Sequence, residues 1–88
     1  MTNAANHETI VLTGNLLLSE LSEKKFPDIT HYRKTKTINL QQLTNTDSAG
    51  LAYLAQIKSH YSDLHFTGVS QKTLVLAQLY GLSFIFKS

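Results

Sequence analysis

Apolar and polar residues follow one another along this chain in segments that predict strands and helices in turn. Short β-rich segments at 9–13, 35–40 and 64–69 predict three strands. Segments 47–61 and 70–80 place apolar residues three and four positions apart, which predicts two helices. Strands that alternate with helices over short connections indicate an α/β domain with a mostly parallel sheet and right-handed crossovers.

Two further segments complete the predicted fold. Segment 19–34 has roughly helical spacing, but Pro27 must break, kink or restart a helix there, so we expect two short helices. Segment 82–86 follows a helix-ending glycine and predicts a last edge strand. The expected architecture is a mostly parallel (mixed) four-stranded sheet with helices mainly on one face. One domain should cover residues 1–88, with the polar residues 1–7 frayed.

The sequence from Thr46 to Ala52, Thr-Asp-Ser-Ala-Gly-Leu-Ala, lies where a helix should begin. Asp47 and Ser48 are both favoured N-cap residues. Gly50 would let the first turn approach a sheet closely, and an apolar stripe then begins. The residues of that stripe, which should face the sheet, are Gly50, Leu51, Leu54, Ile57 and Tyr61.

Composition limits the classes of function. The chain is 42% hydrophobic and 16% charged, as in a globular protein, and it has no cysteine for disulfides or thiolate metal sites. The net charge of +2 is small, and the densest basic cluster shows no interleaving with aromatic residues of the kind that a stacking platform requires, so we expect a solvated flank and no nucleic-acid partner. That cluster consists of Lys24, Lys25, Arg33, Lys34 and Lys36.

No catalytic or cofactor site is expected. The four histidines, at positions 7, 31, 60 and 65, lack the short spacing of metal ligands. The four glycines are too dispersed to cradle a phosphate, and Asp47 cannot orient a base for the adjacent Ser48. We therefore expect a protein that is not an enzyme and that holds neither cofactor nor metal. With no signal segment and no apolar stretch long enough to cross a bilayer, we expect a cytoplasmic location without membrane insertion.

The motif Asp47-Ser48-Ala49-Gly50-Leu51 resembles the signature loop of STAS domains, at which the second helix of that fold begins. Together with Leu-Ala-Gln-Leu-Tyr-Gly-Leu at 76–82, it is most similar to one branch of the family. Members of that branch are cytoplasmic subunits of Gram-negative phospholipid ABC transporters. The resemblance implies a non-catalytic subunit that binds and stabilises or activates the transporter ATPase. It also implies a peripheral position at the inner membrane and a role in outer-membrane lipid asymmetry.

A second branch, the anti-sigma-factor antagonists, provides the alternative function, in which a partner kinase phosphorylates the serine that matches Ser48. The turn at 14–18 lacks the acidic residues common in that branch, which favours the transporter subunit. Asn39 replaces an aspartate common at the end of the second strand, and its amide could keep the same hydrogen bonds. Ser48 thus has three interpretations: a partner contact, a regulatory phosphorylation site, or a plain N-cap.

A partner surface is predicted around Ser48. Ala49, Ala52, Tyr53 and Gln56 fall off the core stripe of the second helix, and small residues with one tyrosine suit docking. On the third helix we expect Leu74 and Ala77 to face outward, opposite Val75, Leu76 and Leu79. The alternative is ordinary scattered apolar surface. At least one of the three leucines at 16–18 should also project outward. The complete predicted surface is Thr46, Asp47, Ser48, Ala49, Ala52, Tyr53, Gln56, Leu74 and Ala77.

Overall fold

The structure, a computed structural model, describes residues 8–86, so the predicted fraying of residues 1–7 lies outside the described part. The strands are β1 (Thr9–Val11), β2 (Gly14–Leu16), β3 (Thr37–Asn39), β4 (Leu43–Thr46) and β5 (His65–Thr67). The helices are α1 (Leu18–Ser22), α2 (Ser48–His60) and α3 (Gln71–Leu79), and two 3₁₀ turns cover Ile29–Tyr32 and Ser83–Phe86. The predicted α/β class with parallel strands is confirmed.

The strands form two sheets instead of the predicted single four-stranded one. β1, β3 and β5 pair in the order β1-β3-β5, and β2 pairs with β4. Every pairing within residues 8–86 is parallel, so the expected mixed sheet is wrong there. The second sheet was missed because Gly14-Asn15 resembles a turn and the polar Leu43-Thr44-Asn45-Thr46 resembles a loop. These two strands form by backbone pairing with each other, and their sequences lack the alternating apolar pattern that predicts a strand.

One face of the three-stranded sheet carries the core. Ile10, Ile38 and Phe66 stand opposite one another in register across β1, β3 and β5. Ile38 and Phe66 are buried and Ile10 is partly buried, whereas the residues on either side of each in the strands are more exposed. This alternation is typical of a sheet that is covered mainly on one face.

The predicted edge strand at 82–86 is wrong, because this segment forms the C-terminal 3₁₀ turn. Gly81 adopts φ 70°, and the N–H groups of Gly81 and Leu82 donate to the carbonyls of Gln78 and Ala77 at 3.1 and 2.8 Å. This Schellman motif ends α3 at the predicted glycine. Beyond it, Leu82, Ile85 and Phe86 lie at helical rather than alternating spacing and pack on the core.

The other helix boundaries agree with the sequence. Pro27 separates α1 from the first 3₁₀ turn, as predicted. Asp47 caps α2, and Ser70 caps α3 by accepting a hydrogen bond from the Thr73 N–H at 3.1 Å. The buried residues form one core cluster: Leu12, Leu16, Tyr32, Ile38, Leu40, Leu51, Tyr53, Leu54, Ile57, Leu64, Phe66, Ala77 and Ile85.

Candidate interaction site

Asp47 joins the start of α2 to the start of α1. One carboxylate oxygen accepts a hydrogen bond from the Gly50 N–H at 2.9 Å, and the other accepts one from the Leu18 N–H at 3.0 Å. Both donors lie in the first turn of a helix, where amides have no partner in their own helix. A single carboxylate therefore caps two helices and fixes their N-terminal ends side by side.

The same hydrogen bonds set the ionisation of Asp47. Partial burial acts to raise the pKa of its carboxyl, but backbone N–H groups, with those of Leu18 and Gly50 contributing most, together outweigh this effect. The pKa consequently lies below its ordinary value. The carboxylate stays charged at neutral pH and remains an acceptor for both helices.

Gly50 sets how closely α2 approaches β2. A Cβ atom at this position would collide with the backbone carbonyl oxygen of Leu16 and would lie 2.9 Å from Cγ2 of Thr46. No larger residue fits without a shift of the helix or the strand. The prediction that Gly50 permits close contact between the first turn and a sheet is confirmed.

Ser48 is exposed at the first position of α2, and the capping role belongs to Asp47. Its hydroxyl makes no hydrogen bond to another described residue. The interpretation of Ser48 as a plain N-cap is therefore wrong. Its hydroxyl is left accessible to a partner or a modifying enzyme.

An uncharged stripe extends from Ser48 along α2. Ser48, Ala52 and Gln56 are spaced by four residues and are all exposed, while Ala49 is half-buried. Leu18 lies next to the stripe through its hydrogen bond to Asp47, and its side chain is 61% exposed. We call Leu18, Ser48, Ala49, Ala52 and Gln56 the Ser48 surface; the predicted residues Thr46 and Asp47, both partly exposed, lie at its edge.

Two residues of the predicted surface are in the core. Tyr53 is 9% exposed and Ala77 is fully buried. Leu74 is half-buried, and the exposed side of α3 carries Val75 and Leu79, although the sequence predicts both to lie inside. Leu76 packs on the core as predicted, but the predictions for Val75, Ala77 and Leu79 are wrong, because the run 74–77 is apolar on all sides of the helix and periodicity does not distinguish its faces. Tyr53 and Ala77 therefore cannot contribute exposed side chains to the joint surface expected of α2 and α3.

Tyr53 is held in the core by its hydroxyl. The hydroxyl donates to the carbonyl of Pro27, and the Tyr32 hydroxyl lies 2.7 Å away and donates to the Tyr53 oxygen. Burial raises the pKa of both phenols, and for Tyr53 the contact with Tyr32 raises it further. This pair ties α2 to the turn after Pro27. No hydrophobic periodicity could reveal it, because the partners are 21 and 26 residues away in sequence.

An open groove of about 690 Å³ borders the Ser48 surface. Its walls are part apolar and part polar, and Tyr53 and Gln56 form the side contributed by α2. Tyr53 thus borders the predicted surface through this groove rather than on an exposed helix face. The other lining residues are Leu21, Lys24, Phe26, Pro27, Asp28 and Ile29.

Within residues 8–86, nowhere do three or more histidine, cysteine, aspartate or glutamate side chains come together as metal ligands would. The helices described are also all too short or too polar to cross a membrane. In comparisons with known proteins, no family model matches the chain and no curated protein matches it.

Proposed function

We propose that this protein is a non-catalytic accessory subunit that docks through its Ser48 surface onto the ATPase of an ABC transporter. The observation that carries the proposal is that Asp47, and not Ser48, accepts the capping hydrogen bonds. Asp47 caps both helices, so Ser48 is left exposed with no structural hydrogen bond to a described residue. A neutral hydroxyl at the rim of a rigid helix pair is suited to contact a partner.

The composition of the Ser48 surface supports protein docking. Its exposed side chains are uncharged and, apart from Leu18 and Gln56, small, so a partner backbone can approach closely with little desolvation cost. Leu18 supplies an exposed apolar anchor. The neighbouring groove has room for a side chain from the partner.

The nature of the partner rests on the resemblance to STAS domains, and within them to MlaB, the cytoplasmic subunit of the Mla phospholipid transporter. On that basis the partner is the transporter ATPase. Through the ATPase this subunit joins the permease at the cytoplasmic side of the inner membrane. It would stabilise or activate the ATPase, which supplies all the chemistry, during transport that maintains outer-membrane lipid asymmetry.

A second function, an anti-sigma-factor antagonist switched by phosphorylation of Ser48, is supported by one observation. The Ser48 hydroxyl is exposed at the positive end of a 13-residue helix, where a phosphate is electrostatically favoured. Against it, the charged Asp47 carboxylate already occupies this end and would repel a phosphate.

Affinity purification from native cells distinguishes the two functions. Mass spectrometry should identify both the co-purifying proteins and the state of the Ser48 peptide. Stable recovery of an ABC ATPase with unmodified Ser48 is the result we expect. Recovery of a kinase-like anti-sigma factor with phosphorylated Ser48 would replace the transporter role with a transcriptional switch.

A further inference from the structure

The far end of α2 carries a basic pocket that the Ser48 surface does not include. The pocket has a volume of about 360 Å³ and lies between the segment before β3 and the turn after α2. Its lining includes the charged residues Arg33, Lys34, Lys36 and Asp63, together with His60 and the hydroxyl-bearing Thr35. From Ser48 to His60 the helix rises by about 18 Å, so the two sites are separate.

The fold brings these residues together from distant parts of the sequence. Thr35 is held by a hydrogen bond from its N–H to the Tyr32 carbonyl at 2.9 Å, which directs the chain into β3. The Lys36 carbonyl accepts from the His65 N–H at 2.8 Å, which joins this segment to the start of β5. The residues that the sequence presents as one charged flank thus form the wall of a pocket.

The cations of the pocket are not neutralised within the described chain. Among residues 8–86 the only salt bridges join Lys25 to Glu20 and Glu23, on a different part of the surface. Arg33, Lys34 and Lys36 therefore have no carboxylate within salt-bridge distance there, and Asp63 is the single acidic residue of the wall. The pocket keeps a net positive charge, and the planar guanidinium of Arg33 is well suited to bind a phosphate.

A buried hydroxyl adds a second observation. Thr35 is only 5% exposed, and its Oγ1 atom has no hydrogen-bond partner among the described residues. Buried hydroxyls are normally paired, so an unpaired one in a pocket wall calls for an explanation. The oxygen is itself shielded from solvent, so the Thr35 side chain must turn toward the pocket before an anion among the cations can accept its proton.

We propose that this pocket binds a phosphate group, with Arg33, Lys34 and Lys36 as charge partners and Thr35 as a hydrogen-bond donor. The phosphate belongs either to an anionic lipid headgroup or to a soluble phosphate compound. Both sources present the same oxyanion to the pocket. The proposal is independent of the Ser48 surface and of the identity of its partner.

The test follows assigned backbone amide signals by NMR while inorganic phosphate is added at constant ionic strength. In parallel, the protein is sedimented with phosphatidylglycerol vesicles and with phosphatidylcholine vesicles. The pocket variant is Arg33→Gln with Lys34→Gln. The matched control is Lys24→Gln with Lys25→Gln, which removes the same charge outside the pocket. Thr35→Val tests the hydroxyl, and circular dichroism checks that each variant is folded.

Saturable shifts at residues 33–36 and 60–64 are expected, with affinity weakened about tenfold or more in the pocket variant. The control should bind as the wild type does, and Thr35→Val should bind more weakly. Binding to phosphatidylglycerol but not phosphatidylcholine vesicles would identify a lipid source, and binding of phosphate alone a soluble source. Absence of saturable binding to both probes, or equal loss in the pocket variant and the control, would overturn the proposal.

Discussion

The two ends of α2 differ in charge, side-chain size and manner of stabilisation. At the first end, one carboxylate caps two helices, and the exposed residues beside it are uncharged and, apart from Leu18, small. At the last end, the lining includes the cations Arg33, Lys34 and Lys36 against one acidic residue. The positive charge therefore lies near the negative end of the helix dipole, where it is favoured.

Because the two ends of α2 differ in this way, the net charge of +2 does not describe how charge is distributed over the protein surface. Cations and acids are not evenly mixed over the surface. Lys25 is paired with Glu20 and Glu23, whereas the cations near His60 have no such partner in the described chain. One helix thus separates a neutral surface suited to protein contact from a basic pocket suited to anions.

The largest expected effect is at Gly50, which anchors the neutral end. Gly50→Ala places a Cβ against the backbone of Leu16, which cannot move independently, so we expect a loss of about 3 kcal/mol in the free energy of unfolding. Urea denaturation measures it. Gly81→Ala is the matched control, because the added Cβ there contacts no other atom. Its only expected cost is the backbone strain of a positive φ, about 1–2 kcal/mol. A Gly50 variant no less stable than the Gly81 variant would refute the close contact.

The next effect separates Asp47 from its neighbour. Asp47→Ala should lower the free energy of unfolding by about 2 kcal/mol. This is at the upper end for the loss of a cap, because two helices lose their acceptor. Ser48→Ala should change the free energy of unfolding by less than about 0.5 kcal/mol. Because folding lowers the Asp47 pKa, its contribution is present above the unfolded-state value near 4 and is lost as pH falls through the folded-state pKa. The wild type and Asp47→Ala should therefore converge in stability below about pH 4. A larger loss of unfolding free energy in Ser48→Ala than in Asp47→Ala would support the interpretation of Ser48 as the N-cap.

A smaller effect tests whether the middle of α2 is core. Tyr53→Phe leaves the Pro27 carbonyl and the Tyr32 hydroxyl without their partner, so we expect a loss of about 1–2 kcal/mol by thermal or urea unfolding. Tyr80→Phe, at an exposed tyrosine, is the control and should be neutral. Equal stability of the two variants would indicate that the Tyr53 hydroxyl is exposed on the surface.

The smallest expected effect on stability is that of Ala52→Arg. Ala52 is exposed on α2, so a longer side chain there should change the free energy of unfolding by less than about 0.5 kcal/mol. Ser59→Arg makes a similar change at an exposed position near the other end of the helix. Thermal unfolding of both variants checks that later differences in binding arise at the surface. A large loss of stability in Ala52→Arg alone would show that this stripe is packed.

The parts of the fold set by local chemistry were predictable. Caps at Asp47 and Ser70, the break at Pro27 and the end of α3 at Gly81 each depend on a few neighbouring residues, and all four are confirmed. Strands β2 and β4 were not predictable, because their polar sequences pair with each other across about 30 residues. The C-terminal segment was mistaken for a strand because five residues are too few to distinguish alternation from helical spacing.

The site was predictable only in part for similar reasons. The exposed stripe Ser48, Ala52 and Gln56 agrees with the helical pattern of α2. Tyr53 lies one position from that stripe, and the sequence predicts it outside because it does not reveal the distant turn that supplies its buried hydroxyl partners. The sequence predicts only a solvated basic flank here, because it does not show that residues 33–36 meet the end of α2.

Affinity purification of an ABC ATPase with Ala52→Arg, set against Ser59→Arg, tests the central claim most directly. The measurement is the amount of ATPase recovered per amount of this protein from native cells. If the Ser48 surface is the docking surface, Ala52→Arg recovers little or no ATPase while Ser59→Arg recovers the wild-type amount. Equal recovery by the two folded variants, or no ATPase with the wild type, would contradict the claim.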